Sequence, residues 1–401
     1  MFWILALGYV FSQFIRNTIG VITPDLMAEL SLGAADVGLL SGLFFLAFAA
    51  MQIPAGIALD TLGPRKTMAG LVLIGAGGMF LFAGADGYSG LVVGRILTGI
   101  GTAALLMGPM VLFTRWFPAA RFAEMSGLVI ACGGAGTLLA TAPFEMAVSN
   151  FGWRESLFGV AIAMIVMAVI LSLRVKDMPK GRSVPTAEHA HEAGLWPGLK
   201  AVFKHKQLPY LVAIQLMGYS SVVTLLGLWG LPYLQDVHGL AKDEAANILF
   251  VMALIVMVGQ VGWGRLDRLV GSRRRPVLWG ASLCFVQFLT LALYRDPPVY
   301  VVIGLFWGLG LSSGFFSVAL AHGRALFPDH LVGRGITTLN VANMGGVFIL
   351  QSVTGWIIDL NGGRLDGPIE ESAFRIVFMV IAFGVLAALV IYSWSEDRPP
   401  Q

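Results

Sequence analysis

LDTLGPRK, residues 59–66, and LDRLVGSRRR, residues 266–275, decide the fold. Each joins an aspartate to a glycine and a basic cluster, and each follows a long apolar run. A second pair, RWFPAAR (115–121) and ALFPDHLVGR (325–334), stands at a similar displacement. Both pairs are offset by about 210 residues, so one unit occurs twice in the same orientation.

The composition says what that unit is made of. Of 401 residues, 57% are hydrophobic and 12% charged, against about 25% charged in a soluble domain. Taking about 20 apolar residues per membrane crossing, twelve spans are expected near 2–24, 35–58, 67–85, 89–112, 123–147, 155–173, 208–233, 244–264, 276–294, 298–321, 336–359 and 373–394. The expected fold is therefore an all-α integral membrane protein with twelve transmembrane helices in two six-helix pseudo-repeats. Residues 1–173 form an N-terminal bundle, 174–207 a cytoplasmic linker and 208–401 a C-terminal bundle. The 50 glycines suit helices packed backbone to backbone. Cys132 and Cys284 lie in apolar runs, where a thiol is a small core group, so neither a disulfide nor a metal site is expected. The first run has no basic leader or cleavage site and reads as a retained span.

Lysine and arginine placement gives the orientation. With the N-terminus inside, the inner loops hold Arg65, Lys66, Arg115, Arg121, Arg265, Arg268, Arg273, Arg274, Arg275, Arg324, Arg334, Arg398 and the basic linker. The outer loops hold only Arg154, Lys242, Arg295, Arg364 and Arg375. Both termini are thus expected in the cytoplasm, in an inner (plasma) membrane.

Three ionisable residues fall inside the runs away from the loops: Arg16, Arg95 and Glu145. A central arginine costs about 2.5–3.5 kcal/mol to insert, so such a residue faces a cavity or a partner. Two arginines with one carboxylate suggest a positive interior suited to an anion. Glu145 is either a solvated helix end, a proton carrier or a partner for Arg95. The second half adds uncharged polar groups, among them Gln215, Tyr219, Ser220, Ser221, Ser312, Ser313, Asn340 and Asn343.

The chain resembles the major facilitator superfamily over nearly its whole length. Gly56, Asp60, Gly63, Arg65 and Lys66 fit the family's loop GxxxDRxGRR, with Thr61 and Pro64 departing from it. Asp267, Arg268, Gly271, Arg273 and Arg274 form the second copy, one residue longer, and GRILTGIG is similar to the arginine motif RxxxGxG through Arg95, Gly99 and Gly101. The resemblance implies a reversible latch in which Asp60 and Asp267 accept hydrogen bonds from helix N-terminal amides and basic side chains, with Gly63 allowing the tight turn. It also implies that spans one, four, seven and ten line a cavity. Arg16, Arg95, Gln13, Asn17, Tyr219, Trp307 and Ser312, joined by Asn340 and Asn343 of span eleven, are then candidate substrate contacts, with interhelical bonding as the alternative role. Family members carry a short polar leader, so either Met1 is not the native start or the leader is very short.

A narrower likeness, over about thirty residues, is to the anion:cation symporter branch. RNTIGVITP is similar to its pattern DRxNxSxAxP, and WFPAAR and GWRESLF to two of its loops. The acids that serve proton coupling there are replaced by Ile15 and Thr102.

The expected function is secondary active transport of a small anionic or zwitterionic metabolite by alternating access. Coupling would run through a proton, with Glu145 the candidate carrier, or through an exchanged anion. No GxxxxGK[ST] loop is present for nucleotide drive, and no catalytic cluster, cofactor site or nucleic-acid site is expected. The partners expected are the substrate, the coupling species and the lipid bilayer, with the chain as a monomer. A multidrug or peptide proton-coupled transporter and a non-transporting receptor remain alternatives. ACGGAGTLLATAPFEM (131–146) lacks the GP pair of multidrug antiporters.

Overall fold

The computed structural model describes residues 1–178, 200–328, 332–361 and 368–398. The central part of the expected linker, 179–199, and Arg364 lie outside the described residues. Among those described, twelve helices are long and apolar enough to cross a membrane. They are α1 (Phe2–Leu30), α2 (Ala34–Thr61), α3 (Pro64–Ala83), α4 (Tyr88–Trp116), α5 (Glu124–Phe151), α6 (Trp153–Arg174), α7 (Leu208–Asp236), α8 (Lys242–Val270), α9 (Arg274–Leu293), α10 (Val299–Leu326), α11 (Arg334–Leu360) and α12 (Glu371–Tyr392). Several run one to two turns past the apolar stretch that marks them; α1 was expected to stop near residue 24, yet it reaches Leu30. A 29-residue helix is about 43 Å long, enough for the hydrocarbon core and both headgroup layers. Polar ends continue the backbone ladder into the interface, and hydropathy alone does not mark where they stop.

The chain divides into two compact units, Met1–Leu32 with Leu40–Ala190, and Gly33–Leu39 with His191–Gln401. The first turn of α2 thus belongs to the second unit and its remainder to the first. In each unit the duplication can be followed joint by joint. In the first, a β-carbon on Gly136 of α5 would lie 2.1 Å from the Val10 carbonyl of α1; in the second, one on Gly346 of α11 would lie 2.1 Å from the Leu216 carbonyl of α7. These backbones touch, and only glycine permits it.

The helix ends repeat as well. Arg154 at the start of α6 donates from Nη1 to the carbonyls of Ala83 and Ala85 at the end of α3, at 2.7 and 2.9 Å. It also pairs with Glu29 at 2.9 Å, and the Trp153 indole donates to that same carboxylate at 2.6 Å. In the second unit Arg375 at the start of α12 donates from Nε to the Ala292 carbonyl at the end of α9, at 2.8 Å. The last carbonyls of α3 and α9, orphaned by the helix ends, are closed in both cases by an arginine. GWRESLF therefore marks a joint.

Replacing Arg154 by alanine is expected to lower the thermal midpoint of the detergent-purified protein more than Arg375→Ala does, by about 1–2 kcal/mol of stability after allowance for the exposed Glu29 partner. Differential scanning fluorimetry of the two variants measures it.

Candidate functional site

In the first unit the site is built around a break in α1. Regular helix runs Phe2–Asn17 and resumes at Ile19–Leu30. The break frees the Ile15 carbonyl, which accepts from the Thr18 hydroxyl at 3.0 Å and from Nη1 of Arg95 on α4 at 3.3 Å. The Arg95 guanidinium lies 4.7 Å above the Phe44 ring. Arg16, one residue from the break and 6% exposed, lies 4.8 Å from the Phe48 ring centre and 5.9 Å from that of Phe45. The aromatic run of α2, GLFFLAF, thus supplies ring faces to both arginines, each worth about 0.5–2 kcal/mol by cation–π attraction.

The two arginines differ in their surroundings. Arg95 borders a cavity of about 10 Å³ formed with Thr18, Ile19, Ile22, Met79, Phe82, Thr98 and Leu157, room for a single water and not for a metabolite. Its bond to a carbonyl that no helix satisfies makes it the brace of the α1 break. Glu145 is buried on α5, just past a second irregularity at Ala140–Thr141, and its carboxylate accepts from the Ser149 hydroxyl. Among the described residues it does not pair with Arg95, which corrects that expectation. Asn17 donates to the Gln13 carbonyl at 2.8 Å, and the Gln13 Oε1 is buried without a hydrogen-bond partner.

The second unit sorts its candidates differently. The Trp307 indole donates to the Ile248 carbonyl of α8 at 3.3 Å. The Ser312 hydroxyl meets Gln287 Oε1 at 2.9 Å and Cys284 Sγ at 3.2 Å, both on α9. Both residues thus act as interhelical bonds here. Tyr219 packs edge-on against Phe316, centroids 5.2 Å apart. Asn340 is half-buried, whereas Asn343 is buried with Oδ1 lacking a partner. Gln215 on α7 and Gln351 on α11 are fully buried with both amide ends without a partner. Gln351 was not among the sequence candidates, although a lone glutamine in the apolar run 344–360 was the signal. The helices α4, α7 and α10 are interrupted as α1 is, at Ala103, at the wide turn Leu225–Trp229 and at Ser313–Gly314. Irregular backbone at membrane depth persists only inside protein or beside a cavity.

The latch residues form two repeated loops. Asp60, Arg65 and Lys66 are exposed. The first amide of α3 is taken by Asp177, which accepts from Arg65 N at 2.7 Å. Gly63 has φ +86°, and a β-carbon there would sit 2.7 Å from the Asp177 carboxylate, so glycine is required twice over. In the second copy Asp267 is buried and 3.7 Å from Arg273, while Arg268 is exposed. Here Asp397 plays the part of Asp177, accepting from Arg274 N at 3.2 Å and from the Ser272 hydroxyl at 2.6 Å. Burial pushes the Asp397 carboxyl up, but the Ser272 hydroxyl and the Arg274 and Arg273 amides outweigh it and hold it below the usual carboxylate value. That clamp stabilises the fold above about pH 4 and is lost as the pH falls through the lowered value.

A duplicated six-helix membrane unit with charged and polar groups at its helix breaks is the architecture of secondary transporters. The profile described as "Major Facilitator Superfamily" matches residues 5–313 and 229–401, and the chain belongs to that family. It is a membrane transporter and not an enzyme. Among its relatives are a putative tartrate transporter of Agrobacterium vitis, 25% identical over 88% of this chain and 82% of that one, and a probable sulfoacetate transporter of Cupriavidus necator, 25% identical over 97% and 92%. A hexuronate transporter of Escherichia coli is 23% identical over 100% and 94%. The crystal structure of a bacterial homolog of the human lysosomal transporter Spinster matches with TM-score 0.79 at 19% identity, over 98% of this chain and 95% of that one. A D-xylose-proton symporter matches with TM-score 0.71 at 15% identity, over 98% and 97%.

Replacing Arg95 by methionine keeps the bulk and removes the brace. It is expected to cost about 1–3 kcal/mol, so that thermal midpoint and transport fall together in the purified variant.

Proposed function

We propose that the protein moves a small carboxylate-bearing anion across the membrane by alternating access, with Arg16 binding the carboxylate. The observation that carries this reading is the placement of the Arg16 guanidinium midway along α1, beside the break and against Phe48. A buried guanidinium presents paired donors that match a carboxylate. The relatives' names supply the same chemistry, since tartrate, sulfoacetate and hexuronate all carry a carboxylate. Gln13 and Asn17, on the same helix as Arg16, offer uncharged polar groups to the rest of such a molecule.

The family branch's two coupling acids stand here as Ile15 and Thr102, and the Thr102 hydroxyl is bound to the Thr98 carbonyl at 3.1 Å. Coupling therefore runs through exchange for a second anion or through Glu145. Preloading vesicles with the anion separates the two, because exchange accelerates on preloading and proton coupling follows the pH gradient. The bias of basic residues toward one set of loops supports a reading in which both termini lie in the cytoplasm of a bacterial inner membrane, with the chain working as a monomer. The Asp60 and Asp267 loops serve as the gating latch on that side.

Uptake of tartrate, a hexuronate and sulfoacetate into proteoliposomes, beside a cationic dye, tests the reading. At least one anion is expected to be taken up saturably and to be displaced by the other carboxylates. Uptake of the dye alone would overturn it.

A further inference from the structure

The second unit carries a histidine that the transport reading does not use. His238 stands just past the end of α7, and its ring meets that of Tyr233 edge-on, centroids 5.2 Å apart. Its Nε2 is buried without a hydrogen-bond partner. Residues 1–173 contain no histidine, so His238 is no part of the duplicated scaffold.

His238 lines a cavity of about 380 Å³ at the end of the unit opposite the Asp267 loop, together with four carboxylates, Asp236, Asp296, Glu370 and Glu371. Two of these acids hold the loops that close this end. Asp236 accepts from Ile369 N at 3.2 Å, and Glu371 accepts from Asp296 N at 3.2 Å. Glu370 accepts from the Ser372 hydroxyl at 3.1 Å. Asp296 and Glu370 are exposed, so water reaches the cavity. The cations on the neighbouring elements, Lys242, Arg295 and Arg375, do not line it, and Arg375 is committed through Nε to the Ala292 carbonyl.

A neutral imidazole suits this place and an imidazolium does not. Burial holds the His238 ring below the usual histidine value. The neutral ring therefore favours the closed structure above about pH 6.5, and that contribution is lost as the pH falls toward the lowered value. A proton taken from water makes both ring nitrogens donors, and Nε2 then requires an acceptor. Engaging Asp236 or Glu371 withdraws that acid from a loop amide. Tyr233 carries the change inward: its ring stacks on Phe306 of α10 at 5.9 Å and meets Phe374 and Phe378 of α12 edge-on, both at 5.1 Å. It lies four residues past the wide turn Leu225–Trp229 of α7.

We propose that His238 is a pH-responsive pin. Neutral, it packs on Tyr233 and leaves Asp236 and Glu371 to the loops; protonated, it takes a carboxylate and loosens the joint between the end of α7, the α9–α10 loop and the start of α12. Under the orientation proposed above this end faces the outside, so the pin reads external acidity. The proposal rests on the transporter reading for that location alone.

Hydrogen exchange of the purified full-length protein, read by mass spectrometry in peptides containing Ile369 and Asp296, tests the pin against His238→Gln and His238→Phe, neither of which takes up a proton. Comparing the proteins at equal pH cancels the chemical exchange rate, and with no substrate present the outcome is separate from the uptake assays. The ratio of wild-type to variant exchange is expected to rise about three- to tenfold between about pH 7.5 and about pH 5.5, while peptides from the middle of α9 keep a constant ratio. If one variant does not fold, the other decides. A ratio at Ile369 and Asp296 that does not change with pH would overturn the pin, as would an equal rise throughout the second unit.

Discussion

The hydrogen bond from Arg95 to the Ile15 carbonyl is the interaction on which the candidate site depends. Lipid offers no partner to a carbonyl released by a helix break, and each such group costs several kcal/mol if left alone. Arg95 and Thr18 supply the missing donors, so the hydrogen-bond ladder of α1 can be interrupted at Thr18 without leaving that carbonyl alone. Arg16 lies in the last turn before that interruption, against the aromatic faces of α2. Two arginines that look alike in sequence therefore divide the work. One holds the backbone and the other lies against the rings of α2.

The same constraint explains why the duplicated units share their joints rather than their sequences. Helix ends must be closed wherever the chain turns, and the closures recur: Asp177 and Asp397 on the first amides of α3 and α9, Arg154 and Arg375 on the last carbonyls of the same two helices. Glycine recurs where α5 meets α1 and α11 meets α7. Residues between these points vary because a lipid-facing or core position asks only for an apolar side chain.

Much of this was legible in the sequence. LDTLGPRK and LDRLVGSRRR gave the repeat, hydropathy gave the twelve spans, and the intramembrane arginines drew attention to α1 and α4 because charge in lipid is costly wherever it occurs. The illegible part consists of pairings across long stretches of chain. Asp177 and Asp397 lie in polar segments where an acid is unremarkable, and nothing local ties them to Arg65 or Arg274. Trp307 and Ser312 looked available because their residue types suit a ligand, yet α8 and α9 take their polar atoms. Gln351 was passed over among more prominent neighbours, although full burial makes its unpartnered amide one of the more costly groups in the second unit.

The central claim is that Arg16 binds the anion while Arg95 supports the helix. It is tested most directly by comparing kcat/KM for the best-transported carboxylate in Arg16→Gln, Arg16→Lys and the wild-type protein, reconstituted at equal amounts, with thermal midpoints measured alongside. The account predicts that Arg16→Gln loses about a hundredfold, that Arg16→Lys retains part of the activity, and that both keep the wild-type midpoint. Wild-type uptake by Arg16→Gln would contradict it.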